Sequence, residues 1–160
     1  MPKSSFLIPN GIWWSVDTGL NTGIAWWNGN DLHGYSLVET SGKNWDEQAD
    51  SFVAKLDQIL DACTPMKVFY ESPSYFGAGM GKVAAQSGSL VKLSVIVGIL
   101  RGSVTRRGID VQKIEVRDWK GQMSKQATKQ RVEKRLAKQI NEVDHIIDAI
   151  GIGLYVRGVW

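Results

Sequence analysis

Three acidic positions and one histidine stand where this chain could do chemistry. Asp17 ends a short apolar run from Ile12, Glu71 ends another from Met66, and Asp144-His145-Ile146-Ile147-Asp148 opens a late apolar stretch. His145 and Asp148 are three apart and share one face of a helix; Asp144 and Asp148, four apart, nearly do. A carboxylate at the end of a buried strand is costly unless a partner neutralises it. That partner is a metal ion or a buried Lys or Arg. If the strand ending in Glu71 lies beside the strand ending in Asp17, both reach one cation. Mg²⁺ asks for a few oxygen ligands and keeps several waters, and Asp17, Glu71 and Asp148 meet that demand. Two such ions about 3.5–4 Å apart stabilise charge on the attacking and leaving oxygens of a phosphodiester. His145 could be a further ligand or could handle a proton. The chemistry this set suits is metal-dependent cleavage of a nucleic acid.

Each of these residues also has a plainer reading. Asp17, followed by Thr18-Gly19, could start a turn with its own side chain. Asp144, three residues after Asn141, could belong to a capping arrangement at a helix start, where its charge also suits the helix dipole. Asp144 therefore reads as structural ahead of metal-binding and His145 as functional, with both kept as candidate ligands.

The elements that must position these groups follow from periodicity. Ile12 to Asp17, Gly23 to Trp27 and His33 to Glu39 are short, β-prone and joined by tight turn signals, which predicts an antiparallel meander. Asp46 to Ala62 places apolar residues at helical intervals. Met66 to Glu71 is continuously apolar, as a buried strand is. Ser72 to Ser89 is rich in Gly and small residues and predicts a loop. A long apolar helix to Arg106 follows, with Gly98 and Gly102 allowing a close approach, and then a fifth strand, Ile109 to Val116. A basic loop, Arg117 to Gln126, leads to a basic helix, Lys129 to Ile140, and an apolar helix, Asn141 to Arg157, carries the small residues Ala149, Gly151 and Gly153. Trp13, Trp14, Trp26 and Trp27 sit in strands, so one of each adjacent pair must face away from the other. This order predicts a three-layer α/β fold in which the last two strands, reached through helical crossovers, run parallel to the first. No repeat or linker interrupts the chain, so its 160 residues are expected to form a single domain, 1–160.

Net charge is +3, but its distribution is uneven. Acids outnumber bases from Asp31 to Glu71, and the balance reverses from Arg101 to Lys138, where a polyanion would be drawn. The single cysteine, Cys63, excludes an internal disulfide and a Cys-rich zinc site and fits a reducing compartment. No apolar run approaches the ~20 residues that span a bilayer. The first ten residues lack the order of a secretory signal, so a cytoplasmic location is expected.

Together, Ser15-Val16-Asp17-Thr18-Gly19 with Thr22-Gly23, Val68-Phe69-Tyr70-Glu71, and His145-Ile146-Ile147-Asp148-Ala149 resemble the motifs of RuvC-family Holliday junction resolvases, within the RNase H-like superfamily, especially short phage-type members. The resemblance spans most of the chain in order and spacing. It implies an RNase H-like five-stranded mixed sheet flanked by helices, a homodimer, and a site for two Mg²⁺ ions, for which Mn²⁺ could substitute. The activity it implies is paired nicking of a four-way DNA junction. His145 falls where the family carries Asp or His. Lys129 matches the second of two family basic residues, beside the scissile phosphate; Arg117 and Lys120 compete for the first, and Lys125 lies in the same basic tract. Tyr75-Phe76 sits a few residues later than the family's aromatic-bearing loop against the junction centre, where a ring could stack on an unpaired base.

Other classes compete. Asp17-Thr18-Gly19 with Thr22-Gly23 also resembles the phosphate loop of actin-like and sugar-kinase ATPases, but the chain has no room for their second lobe. A non-catalytic DNA-binding module would suit the basic half, although Glu71 and Asp148 would then only repel DNA. Within nucleases, RNA–DNA hybrids or forks are alternative substrates. The apolar helix from Leu90 to Leu100 is the candidate dimer face, or else it is buried on its own sheet.

Overall fold

A computed structural model describes residues 6–72 and 88–160. Five strands form one mixed sheet in the order β3-β2-β1-β4-β5: β1 (Ile12–Asp17), β2 (Asn21–Asn28), β3 (Asp31–Glu39), β4 (Lys67–Ser72) and β5 (Asp110–Glu115). The first three make the antiparallel meander. β4 then pairs in parallel with β1, and β5 with β4, as the crossovers require.

The alternation of side chains along each strand divides the core into two layers. Trp14, Val16, Ile24, Val68 and Tyr70 face α1 (Trp45–Ala62) and α2 (Ser89–Thr105). Trp13, Ala25, Trp27, Phe69 and Ile114 face α5 (Asp144–Val156), α4 (Lys125–Leu136) and the single turn α3 (Val116–Trp119). The adjacent tryptophans do part company: Trp13 stacks on Trp27 with centroids 5.3 Å apart, and Trp14 lies in the opposite layer. Asp17 and Glu71, in step with Trp13 and Phe69, lie on the α5 side.

Four local features differ from the sequence reading. The stretch after β5 is not all loop: α3 turns the chain at once, and α4 begins at Lys125 because Ser124 caps it, its hydroxyl accepting from the Ala127 N–H. That helix stops at Leu136, where Ala137 turns left-handed at φ 51°, so the basic helix lies about one turn earlier than Lys129–Ile140. Asn141 does not cap the last helix, which starts at Asp144 after Val143 with no side-chain cap; the Asp144 carboxylate turns instead to Lys125, 2.7 Å away. Gly98 and Gly102 admit no close approach within the described residues, since a Cβ on either would meet nothing within 4 Å. On α5, by contrast, the small residues act as expected. A Cβ on Gly151 would come 2.6 Å from the Trp119 ring, and one on Gly153 would strike Trp27. No helix among the described residues is long and apolar enough to cross a membrane.

Candidate metal and nucleic-acid site

The ends of β1 and β4 are stapled together before any chemistry is considered. The Thr18 hydroxyl donates to the Glu71 carbonyl at 2.5 Å, and Thr22 closes the turn after Asp17 by donating to the Gly19 carbonyl at 2.7 Å. Gly23 lies so close to α5 that a Cβ there would collide with the His145 carbonyl. Ser15 fixes the same helix from below: its hydroxyl donates to the Ala149 carbonyl at 2.7 Å and accepts from Trp27 Nε1 at 2.8 Å. The Asp-Thr-Gly and Thr-Gly pieces thus seat the first turn of α5 against the strand carrying Asp17.

That seating gathers five of the sequence-predicted residues at one end of the sheet: Asp17, Glu71, His145, Asp148 and Lys120. Asp17, only 6% exposed, has its Oδ2 2.8 Å from His145 Nδ1. Asp148 receives Lys120 Nζ at 2.6 Å, both side chains mostly buried. Glu71 accepts a hydrogen bond from Trp119 Nε1 at 2.7 Å. Each carboxylate therefore faces its own nitrogen donor, delivered by α5 or by the turn after β5.

Burial and like charge dominate the electrostatics at Asp17 and Glu71. Burial pushes Asp17 above the usual carboxylate range, with Asp148 adding repulsion, and the bond from His145 does not cancel the rise. Glu71 goes from 4.5 up to about 8, first through burial, then through Asp17, with a smaller push from Asp148, while Trp119 and Lys120 pull the other way. The bond to Asp17 raises His145.

The remaining candidates are more scattered. Asp144 is exposed, and Lys125 holds its carboxyl below the ordinary value. Lys129 lies on α4, 4.0 Å from Glu133. Arg117 is exposed beside Asp118. Tyr75 and Phe76 lie outside the described residues. Trp119 escaped the sequence reading altogether; the signal available was a large aromatic inside an otherwise polar, basic stretch.

Do these residues fit metal ions? Three mutually repelling carboxylates stand at the C-terminal ends of inner strands and the start of α5, two of them with raised proton affinity, and oxygen donors of this kind suit a hard divalent cation. Among the described residues no three Asp, Glu, His or Cys side chains converge closely enough to enclose one ion by themselves. That is the arrangement Mg²⁺ tolerates: one or two carboxylates per ion, with water and substrate phosphate completing the shell. The residues fit such a site and do not form a closed protein cage.

The fold is similar to that of several solved Holliday junction resolvases. T. thermophilus RuvC in complex with a Holliday junction substrate superposes with a TM-score of 0.72 at 16% identity, covering 91% of each chain. The yeast mitochondrial Holliday junction resolvase Ydc2 gives 0.65 at 11% identity, over 97% of this chain and 82% of that one. Fowlpox virus resolvase, also solved with Holliday junction DNA, gives 0.60 at 15% identity, over 89% and 95%. No family model matches the sequence and no curated protein matches it. The likeness is one of fold.

Proposed function

We propose that this chain is a metal-dependent endodeoxyribonuclease that recognises branched DNA, above all a four-way junction, and acts as a homodimer in the cytoplasm to nick opposed strands. The observation that carries the reading is the placement of Asp17, Glu71 and Asp148, from three separate elements, close enough to repel one another at the C-terminal ends of the inner strands β1 and β4. The fold shared with junction-bound resolvases supports the choice of substrate.

Asp17, Glu71 and Asp148 would hold two Mg²⁺ ions, with His145 offering its second ring nitrogen, Nε2. When bound, the ions supply charge stabilisation to the attacking and leaving oxygens. His145 is oriented by Asp17 and can hold a proton near the site, its affinity for that proton raised by the same contact. Lys120 neutralises part of the cluster and stands where it can meet a phosphate oxygen once Asp148 is otherwise engaged. The basic face of α4, with Lys125 and Lys129, supplies phosphate contacts. Two symmetric cuts need two sites. On α2, Val91, Val95, Gly98 and Gly102 fall on one face, with Val91 and Val95 exposed and the glycines unopposed among the described residues, which suits it to a second copy.

The test is incubation with a synthetic four-way junction, a linear duplex and an RNA–DNA hybrid, each with Mg²⁺ and with EDTA. Paired nicks in the junction with Mg²⁺ alone are expected. Preferential cleavage of the hybrid would move the substrate class, and an intact junction held equally well in EDTA and Mg²⁺ would make this a binding module.

A further inference from the structure

We infer that Trp119 is a positioning residue for Glu71, presenting one carboxylate oxygen to the metal site by occupying the other. The inference rests on the metal-site reading above and goes beyond it. β5 lies parallel to β4, with Ile114 level with Glu71, and α3 folds the chain back immediately, which carries Trp119 over the end of β4. The indole N–H meets Oε2 of Glu71 at 2.7 Å; among the described residues Oε1 has no hydrogen-bond partner.

The ring is held on two sides. Gly151 of α5 lets it approach so closely that a Cβ would reach its Cζ3 at 2.6 Å. Trp160 packs edge-on, with centroids 5.3 Å apart, and Arg131 of the basic helix covers Trp160 at 5.2 Å. At 3% exposure, the indole has little freedom to swing away.

The chemistry of the donor matters as much as its position. Indole Nε1 only donates and carries no charge. It therefore favours the ionised carboxylate and fixes its rotation without neutralising it, leaving the negative charge available to a cation. A lysine or arginine in that place would compete with the metal. Partners of this kind, which orient a ligand from behind, typically change metal affinity 10- to 100-fold when removed.

The experiment is a titration of the full chain with Mn²⁺, free ion being read by electron paramagnetic resonance, for wild type, Trp119→Phe, Glu71→Gln and the double variant. Trp119→Phe is expected to weaken Mn²⁺ binding about 10- to 100-fold and to add nothing in the Glu71→Gln background. Unchanged affinity in Trp119→Phe, or an equal loss in both backgrounds, overturns the inference, since the indole would then act through packing alone. If wild type binds no Mn²⁺, or Glu71→Gln binds as tightly as wild type, the metal-site reading fails and takes the inference with it. Trp119→benzothienylalanine, in which sulfur replaces the N–H at nearly the same ring shape, carries the same comparison if the phenylalanine variant does not fold.

Discussion

Without metal, this protein is predicted to lose stability as pH rises through neutrality, and a divalent cation is predicted to restore it. Glu71 has an ordinary value of 4.5 and a folded value of about 8, chiefly through burial and then through Asp17. Between those values the folded chain keeps a proton that the unfolded chain has released, so each step up in pH favours unfolding. Asp17 is shifted in the same direction by burial. His145, raised by its bond to Asp17, stabilises the fold below its ordinary value and loses that contribution as pH passes its raised one. All three push the same way. Asp144 runs the opposite way, its stabilisation lost only in acid, and its exposed pair with Lys125 is weakened by solvent. For Glu71 alone, with end points of 4.5 and about 8, linkage between about pH 6 and pH 9 gives a loss of about 2–3 kcal/mol. At roughly 2–4 °C per kcal/mol for a chain of this size, Tm should fall by about 5–10 °C. Melting curves in EDTA across that range measure it. Mg²⁺ should raise Tm more at the alkaline end, where the carboxylates give up protons to receive it, and Glu71→Gln should flatten the slope. A Tm in EDTA that stays level from pH 6 to pH 9, or an undiminished slope in Glu71→Gln, refutes the reasoning.

Three further outcomes are expected. Asp148→Asn should abolish junction cleavage while leaving junction binding in gel-shift assays near wild type, because one fewer negative charge faces the phosphates; wild-type turnover in Mg²⁺ would mean the site is misassigned. Lys120→Met should lower the metal-free Tm at about pH 8 by the loss of a mostly buried partner of Asp148, on the order of 1–3 kcal/mol, with Mg²⁺ recovering more than it does in wild type; an unchanged metal-free Tm would show that the pair contributes nothing. Gly23→Ala should destabilise by about 2 kcal/mol or more, because its methyl group would meet the His145 carbonyl and push α5 off β2, a loss measurable by urea denaturation; a neutral effect would show that the helix seat is not tight.

The sheet was legible because its strands announce themselves. Trp13-Trp14 and Trp26-Trp27 demand two buried faces, and the apolar run ending at Glu71 demands burial on both sides, which makes β4 an inner strand; its pairing with β1 comes from the structure. The carboxylates were legible for a related reason, since charge at the end of such strands calls for a partner. The phase of α4 was not legible: its apolar residues are few, and its limits are set by the Ser124 hydroxyl and the left-handed Ala137, neither of which leaves a periodic trace. Nor was the role of Lys120. Lys120 stands beside Arg117 as a candidate phosphate contact, and its pairing with Asp148 shows only once α3 is known to reverse the chain. Trp119 was hidden by the same turn.

α5 has almost no face turned to water, with Ile146, Ile147 and every residue from Ala149 to Leu154 buried, yet its first two turns supply His145 and Asp148. Alignment of these groups with Asp17 is thus inherited from how snugly Gly153 nests on Trp27 and Gly151 on Trp119. Substitutions far beneath the surface can detune activity with no change of charge anywhere. By the same token, second-site suppressors of a misaligned variant should surface among the tryptophans and glycines of this interior seam and not along the basic face of α4.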